Sequence, residues 1–143
     1  ITTMSTNWTK DINDMHRKFG VHEAIKDFDK KKLKEFLEFR LRFLDEELNE
    51  TKAAAAEKDA EEICDGLIDL CVVAIGTLEA FGVDAHKAWD EVHAANMAKE
   101  VGVNSSREND FGLPDLIKPT MESHGRDWVN PSHEGNHGQL KDL

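Results

Sequence analysis

Two pairs of carboxylates set inside apolar helical stripes constrain this chain more than any other feature. From Lys30 to Glu50 the residues Leu33, Phe36, Leu37, Phe39, Leu41, Phe43, Leu44 and Leu48 recur at helical spacing. With Phe36 set at zero and about 100° per residue, they fill an arc from roughly 300° through zero to about 140°. Glu47 falls near 20° and Glu50 near 320°, inside that arc, while Asp45 and Asn49 fall outside it at about 180° and 220°. Charges seldom sit on a core-facing stripe unless something pairs with them. Glu46 is the ordinary, solvent-facing member of its pair.

The next helical stretch repeats the anomaly. Glu62, Asp65 and Asp69 share one face within about 60°. Around them lie Ile63, Leu67, Ile68, Leu70, Cys71, Val72, Val73 and Ile75. A helix apolar on nearly every side is expected to be buried. Gly66 lies among the acids, and its missing side chain lets a ligand or another helix approach. Two antiparallel helices carrying Glu47-x-x-Glu50 and Glu62-x-x-Asp65 bring four carboxylates together across a short connection. All-oxygen ligation suits Mg²⁺ or Mn²⁺, and no His or Cys lies where a zinc site would need it. Mg²⁺ shares its ligands between carboxylates and substrate phosphates, which points to phosphoryl chemistry. The bland alternative is a solvated acidic face.

Four helices and no strand are expected. The first runs from Trp8 to Phe19, with Trp8, Ile12, Met15 and Phe19 at helical spacing and Gly20 as its stop. A connector, Val21 to Asp29, leads to the second at Lys30–Glu50, which Ala53–Ala56 either extend or follow as a loop. The third spans Lys58 to Phe81, and the fourth runs from after Asp84 to about Glu100. From Asn104 onward Asn, Ser, Gly, Pro and His dominate and periodicity disappears. The expectation is a helical domain over residues 4–103 and an irregular tail over 104–143, packed against a ligand or a partner subunit.

With 29 acidic against 18 basic residues and a net charge of −11, the surface repels phosphate backbones, so no nucleic-acid partner is expected. No apolar run reaches the length of a membrane span, and no membrane partner is expected. The N-terminal residues lack a secretory pattern. Cys64 and Cys71, seven residues apart on one helix, stand about 10 Å apart, too far for a disulfide. Reduced thiols fit a cytoplasmic setting, a host cytoplasm if the chain is phage-encoded.

The order of these motifs resembles the MazG-like, all-α nucleoside triphosphate pyrophosphohydrolases, whose pattern is ExxE, a spacer, then ExxD. Here it reads Leu44-Asp45-Glu46-Glu47-Leu48-Asn49-Glu50 and then Glu61-Glu62-Ile63-Cys64-Asp65-Gly66-Leu67-Ile68-Asp69, with a short spacer. Val92-His93-Ala94-Ala95-Asn96-Met97-Ala98-Lys99 resembles a family segment of "VHxxNMxK" form. Met15-His16-Arg17-Lys18-Phe19-Gly20 resembles the "FHxKFG" opening of many phage-encoded members; the MazZ-like enzymes, which act on purine nucleotides, are one phage subgroup. Lys118-Pro119, Trp128 and Pro131 resemble a "KPxGWxxP" ending, with a longer interval before the tryptophan.

The resemblance implies an all-α MazG-like bundle completed by oligomerisation. It implies cleavage between the α and β phosphates of a (d)NTP, giving (d)NMP and pyrophosphate. Two or three Mg²⁺ or Mn²⁺ ions would be held by Glu47, Glu50, Glu62 and Asp65, with Glu47 and Glu50 catalytic and Glu47 preferred as the base. Asn96, Lys99 and Lys118 would contact the substrate, and Asp69 would be a ribose contact or an outer-shell partner. The partners implied are a nucleoside triphosphate and further copies of the chain, a tetramer by expectation with a dimer as the alternative. Purine deoxynucleotides, dGTP first, are the expected substrates, with dUTP or dCTP as the alternative. Trp89, on a face with Val92 and Asn96, is expected in the core.

Two rivals stand beside this reading. A di-iron carboxylate bundle needs inward Glu-x-x-His pairs, and Glu134-Gly135-Asn136-His137, in the tail, is the only one. A non-catalytic helical interaction module would use the acids for solubility alone.

Overall fold

The expected helices all form in the computed structural model, which describes residues 4–104 and 110–143. They are α1 (Trp8–Lys18), α2 (Val21–Ile25), α3 (Lys30–Ala56), α4 (Ala60–Ala80) and α5 (Ala85–Met97). Local chemistry explains their limits. The side chains of Asn7, Asp29 and Asp59 accept the backbone N–H of Lys10, Lys32 and Glu62, capping α1, α3 and α4. The alanine run extends α3 by six residues beyond Glu50, as its helix propensity favours. The connector after Gly20 contains the short helix α2, which its mixed composition did not announce. Gly20, at φ 71°, makes the left-handed turn between α1 and α2.

α3 ends in a tight reversal. Lys58 adopts φ 57° and donates its N–H to Ala55 O, while Asp59 N–H donates to Ala54 O at 3.0 Å. That is the two-bond pattern of a helix closed by a left-handed residue. Asp59 then caps α4, so three residues turn the chain through an antiparallel hairpin.

The described residues form two compact units. One runs from the chain start to Ala85 and includes Gly135–Leu143, and the other is His86–Glu134. In the first unit α3 packs along α4, with α1 and α2 also against α4. Its core gathers Ile12, Ile25, Leu33, Val73, Ala80, Phe81 and Val83, with the Phe36 and Phe81 rings 5.5 Å apart. Residues 104–143, expected as one irregular tail, are shared between the two units; residues 105–109 lie outside the described residues. The last nine return to the first unit. Buried Asn136 accepts Asp84 N–H at 2.8 Å and donates to Asp84 O at 2.9 Å, and Gln139 N–H donates to Phe81 O at 2.6 Å. A 3₁₀ turn, Gly138–Asp142, ends the chain.

In the second unit β1 (Glu100–Val101) pairs antiparallel with β2 (Leu116–Ile117), a two-residue ladder too short to show as alternation. A four-residue helix, α6 (Met121–His124), follows, closed at its start by reciprocal Thr120 and Ser123 bonds. On α5 the buried residues are Ala85, Ala88 and Ala95, whereas Trp89 is 65% exposed. The expectation that Trp89 is core is therefore wrong. Small alanines make the packed face here, and a stripe defined by bulky residues overlooks them.

Candidate active site

The seam between α3 and α4 follows a three-and-four spacing on both helices. On α3 it runs Leu33, Leu37, Arg40, Leu44, Glu47, Thr51 and Ala54, each buried or half-buried. On α4 the same spacing runs Glu62, Gly66, Asp69, Val73, Gly76 and Ala80. Two close approaches set the register. A β-carbon on Gly66 would overlap the Thr51 hydroxyl and lie 3.2 Å from its Cβ, and one on Gly76 would lie 2.8 Å from Arg40 Nη2. The sequence left open whether Gly66 admits a ligand or a helix, and its neighbour is α3. Thr51 Oγ1 donates to Glu47 O at 2.8 Å, so its hydroxyl is held within α3. Arg40, half-buried, donates from Nε to Thr77 Oγ1 and from Nη2 to Val73 O, both at 3.0 Å. Arg40 falls at about 40° on the apolar arc of α3, the one signal in the sequence that its cation lies at the seam.

This register puts Glu47 opposite Asp69. The Glu47 carboxyl is raised from its ordinary pKa, first by partial desolvation and then by the negative charges of Glu50, Asp69, Asp65 and Glu46. Glu47 and Asp69 are half-buried, while Glu50, Glu62 and Asp65 are exposed, as are Asp45, Glu46 and Asn49. Glu50 is thus at the solvent edge rather than on the buried stripe. The arc that seemed to include it, at about 320°, was widened on that side by Phe39, at about 300°, which is itself 51% exposed. α4 is likewise buried on one face only: Leu67 and Ile68 are about half exposed, and Cys64 and Cys71 are exposed free thiols. By the register, Glu62 stands about 10 Å along the axis from Asp69, the residue opposite Glu47. The four carboxylates Glu47, Glu50, Glu62 and Asp65 line one stretch of the hairpin, without three of their ligand atoms within 4.8 Å of one another.

In the second unit, Asn96 is exposed on α5, Lys99 follows that helix half-buried, and Lys118 is exposed after β2. Lys99 Nζ and Lys118 Nζ lie 5.8 Å and 4.7 Å from the Trp128 ring centroid. The indole Nε1 donates to Ala95 O at 2.6 Å, and Trp128 N–H donates to Pro119 O at 2.9 Å. The long interval between Lys118-Pro119 and Trp128 is taken up by α6, so the two ends of that segment meet despite the added residues.

The family model described as phosphoribosyl-ATP pyrophosphohydrolase matches residues 12–96. The chain belongs to this family. It is therefore a member of the MazG-like nucleotide pyrophosphohydrolase superfamily, with the all-α fold that its motifs suggested. The matched residues begin at Ile12 in α1 and end at Asn96 in α5, and so include the whole α3–α4 hairpin with Glu47, Glu50, Glu62, Asp65 and Asp69. No curated protein and no solved structure matches the chain. Family membership makes it a nucleotide pyrophosphohydrolase, of a kind generally dependent on divalent metal. The donor chemistry of the hairpin fits such an ion, because these donors are all carboxylate oxygens.

Proposed function

We propose that this chain hydrolyses a nucleoside triphosphate between its α and β phosphates, releasing the monophosphate and pyrophosphate. The observation that supports it best is Glu47, half-buried on the α3–α4 seam with Glu50, Asp65 and Asp69 acting on its charge. Glu47, Glu50, Glu62 and Asp65 would hold Mg²⁺ or Mn²⁺. Such ions neutralise phosphate charge and lower the pKa of an attacking water. Glu47 is the residue we assign to accept the proton of an attacking water. Asp69, half-buried beside it, orients Glu47 or meets the ribose. Lys99 and Lys118 supply point charges for phosphate oxygens, and Asn96 supplies an amide for a sugar or base edge.

For the base we propose a purine deoxynucleotide, dGTP first, with the pyrimidines dUTP and dCTP as the alternative. The test is a panel of NTPs and dNTPs, with phosphoribosyl-ATP included, in Mg²⁺ or Mn²⁺ with products resolved. Pyrophosphate and a monophosphate, with dGTP turned over fastest, is the expected result. Orthophosphate as the product would refute α–β cleavage, and a silent panel would remove the triphosphate reading.

The chain also works as a homo-oligomer in this proposal, with a tetramer expected. Trp8, Ile68 and Cys71 expose surface around a cavity of about 220 Å³ that Ile12, Val72 and Ile75 also line. Sedimentation velocity on the full chain checks this; a monomer at micromolar concentration would contradict it.

A further inference from the structure

Away from the carboxylate hairpin, the first unit holds a second cluster of potential ligands. His16 ends α1, His22 opens α2 and Glu79 lies in the last turn of α4. One ligand atom from each lies within 4.8 Å of the other two. Among the described residues this is the one trio of His, Cys, Asp or Glu side chains that converges so closely. Along α4, Glu79 is ten residues from Asp69, or about 15 Å at the helical rise, so the two clusters are separate.

Local structure builds the trio. The left-handed turn at Gly20 folds α2 back on α1, and the two imidazole rings meet edge to face at 5.9 Å. Gly76, one turn before Glu79, leaves room for the His16 ring, since a β-carbon there would lie 3.3 Å from His16 Nε2. His16 is only 5% exposed, and its Nδ1 is fully enclosed without a hydrogen-bond partner. An orphaned buried ring nitrogen costs stability unless something coordinates or bonds to it. Burial first, then the charges of Arg40 and His22, lower the His16 pKa against the opposing pull of Glu79, which keeps the ring neutral and able to ligate. Glu79 is already oriented: Asn13 Nδ2, one turn before His16 on α1, donates to Glu79 Oε2 at 2.8 Å. His22 Nε2 reaches the same oxygen only at 3.4 Å, long for a charge-assisted bond. The nearby Arg40 guanidinium is engaged with Thr77 Oγ1 and Val73 O.

We propose that His16, His22 and Glu79 form a second cation site, selective for a transition metal of the Zn²⁺ class, which ties α1 and α2 to α4. Two imidazoles and one carboxylate suit Zn²⁺ or Co²⁺ and not Mg²⁺, the ion that the all-carboxylate hairpin fits. The side chain of His22 is a third exposed, which leaves a solvent-facing position for a fourth ligand, water. The proposal is independent of the reaction proposed above.

The test uses the full chain, free of any tag and stripped with chelator, in excess Mg²⁺. One equivalent of Zn²⁺ should raise the melting temperature by roughly 5 °C or more. The same rise should appear in Glu50→Gln and be lost in both His22→Asn and Glu79→Gln. In wild type, the imidazole ¹⁵N resonances of His16 and His22 should shift on Zn²⁺ titration and saturate at one equivalent, a readout that does not depend on any variant folding. Zinc stabilisation retained in His22→Asn, or His16 and His22 resonances unmoved by Zn²⁺, would overturn the proposal.

Discussion

Thr51 lies directly against Gly66, and this contact fixes which carboxylates face each other across α3 and α4. With it in place, Glu47 stands one turn from Thr51 on α3 and Asp69 stands one turn from Gly66 on α4. A one-residue slip would carry Glu47 about 100° around the helix and off the seam. The glycine is therefore a positional device for the acids rather than an opening for a ligand.

Gly66→Ala should destabilise the chain by about 1–2 kcal/mol, because the overlap with Thr51 outweighs the helix propensity gained by alanine. Adding Thr51→Ala removes the colliding hydroxyl and should recover most of that loss. Urea unfolding of the two single variants and the double variant measures the coupling. Additive effects would show that the helices do not meet at these two residues.

The raised Glu47 carboxyl has a consequence for metal-free protein. An acid whose pKa is higher folded than unfolded keeps its proton in the folded state when the unfolded chain has lost it. Stability from this group therefore falls as pH rises from the ordinary glutamate pKa through the raised one, and is regained on acidification. Glu47→Gln should raise the melting temperature of chelator-treated protein at neutral pH and flatten this dependence. Thermal melts across the mildly acidic range, with and without chelator, check it. A lower melting temperature for the variant would contradict the repulsion described here.

Arg40 holds two acceptors on α4 from within the seam, Thr77 Oγ1 and Val73 O. Arg40→Ala should cost roughly 2–3 kcal/mol, from the lost bonds and from the lost packing of its stem. Arg40→Lys should recover little, since an ammonium cannot reproduce the two divergent donors of a guanidinium. Denaturant midpoints for both variants decide between this and a merely electrostatic role, for which lysine would suffice.

The long helices and the hairpin were legible because periodicity over many residues and good caps, such as Asp29 and Asp59, agree with each other. The carboxylate set was legible because acids on an apolar stripe are conspicuous. The limits of that set were not, because Phe39 read as core while remaining half exposed, and it broadened the stripe to include Glu50. α2 escaped notice because five residues carry too little periodicity. Trp89 misled because the packed face of α5 is made of alanines. The His16–His22–Glu79 convergence depends on the turn at Gly20 and on bringing together His22 and Glu79 across 56 intervening residues, which no spacing rule connects.

Glu47 is proposed to serve pyrophosphohydrolysis from the seam, and its immediate neighbour Glu46, exposed and about 100° further around α3, is the natural control. The most direct measurement is the rate of pyrophosphate release from the best nucleotide of the panel in Mg²⁺ or Mn²⁺, for wild type, Glu46→Gln and Glu47→Gln. Loss of on the order of 10²–10⁴-fold in kcat for Glu47→Gln is expected, with Glu46→Gln within a few-fold of wild type. Equal losses in the two variants, or a Glu47→Gln enzyme that retains full activity, would contradict it.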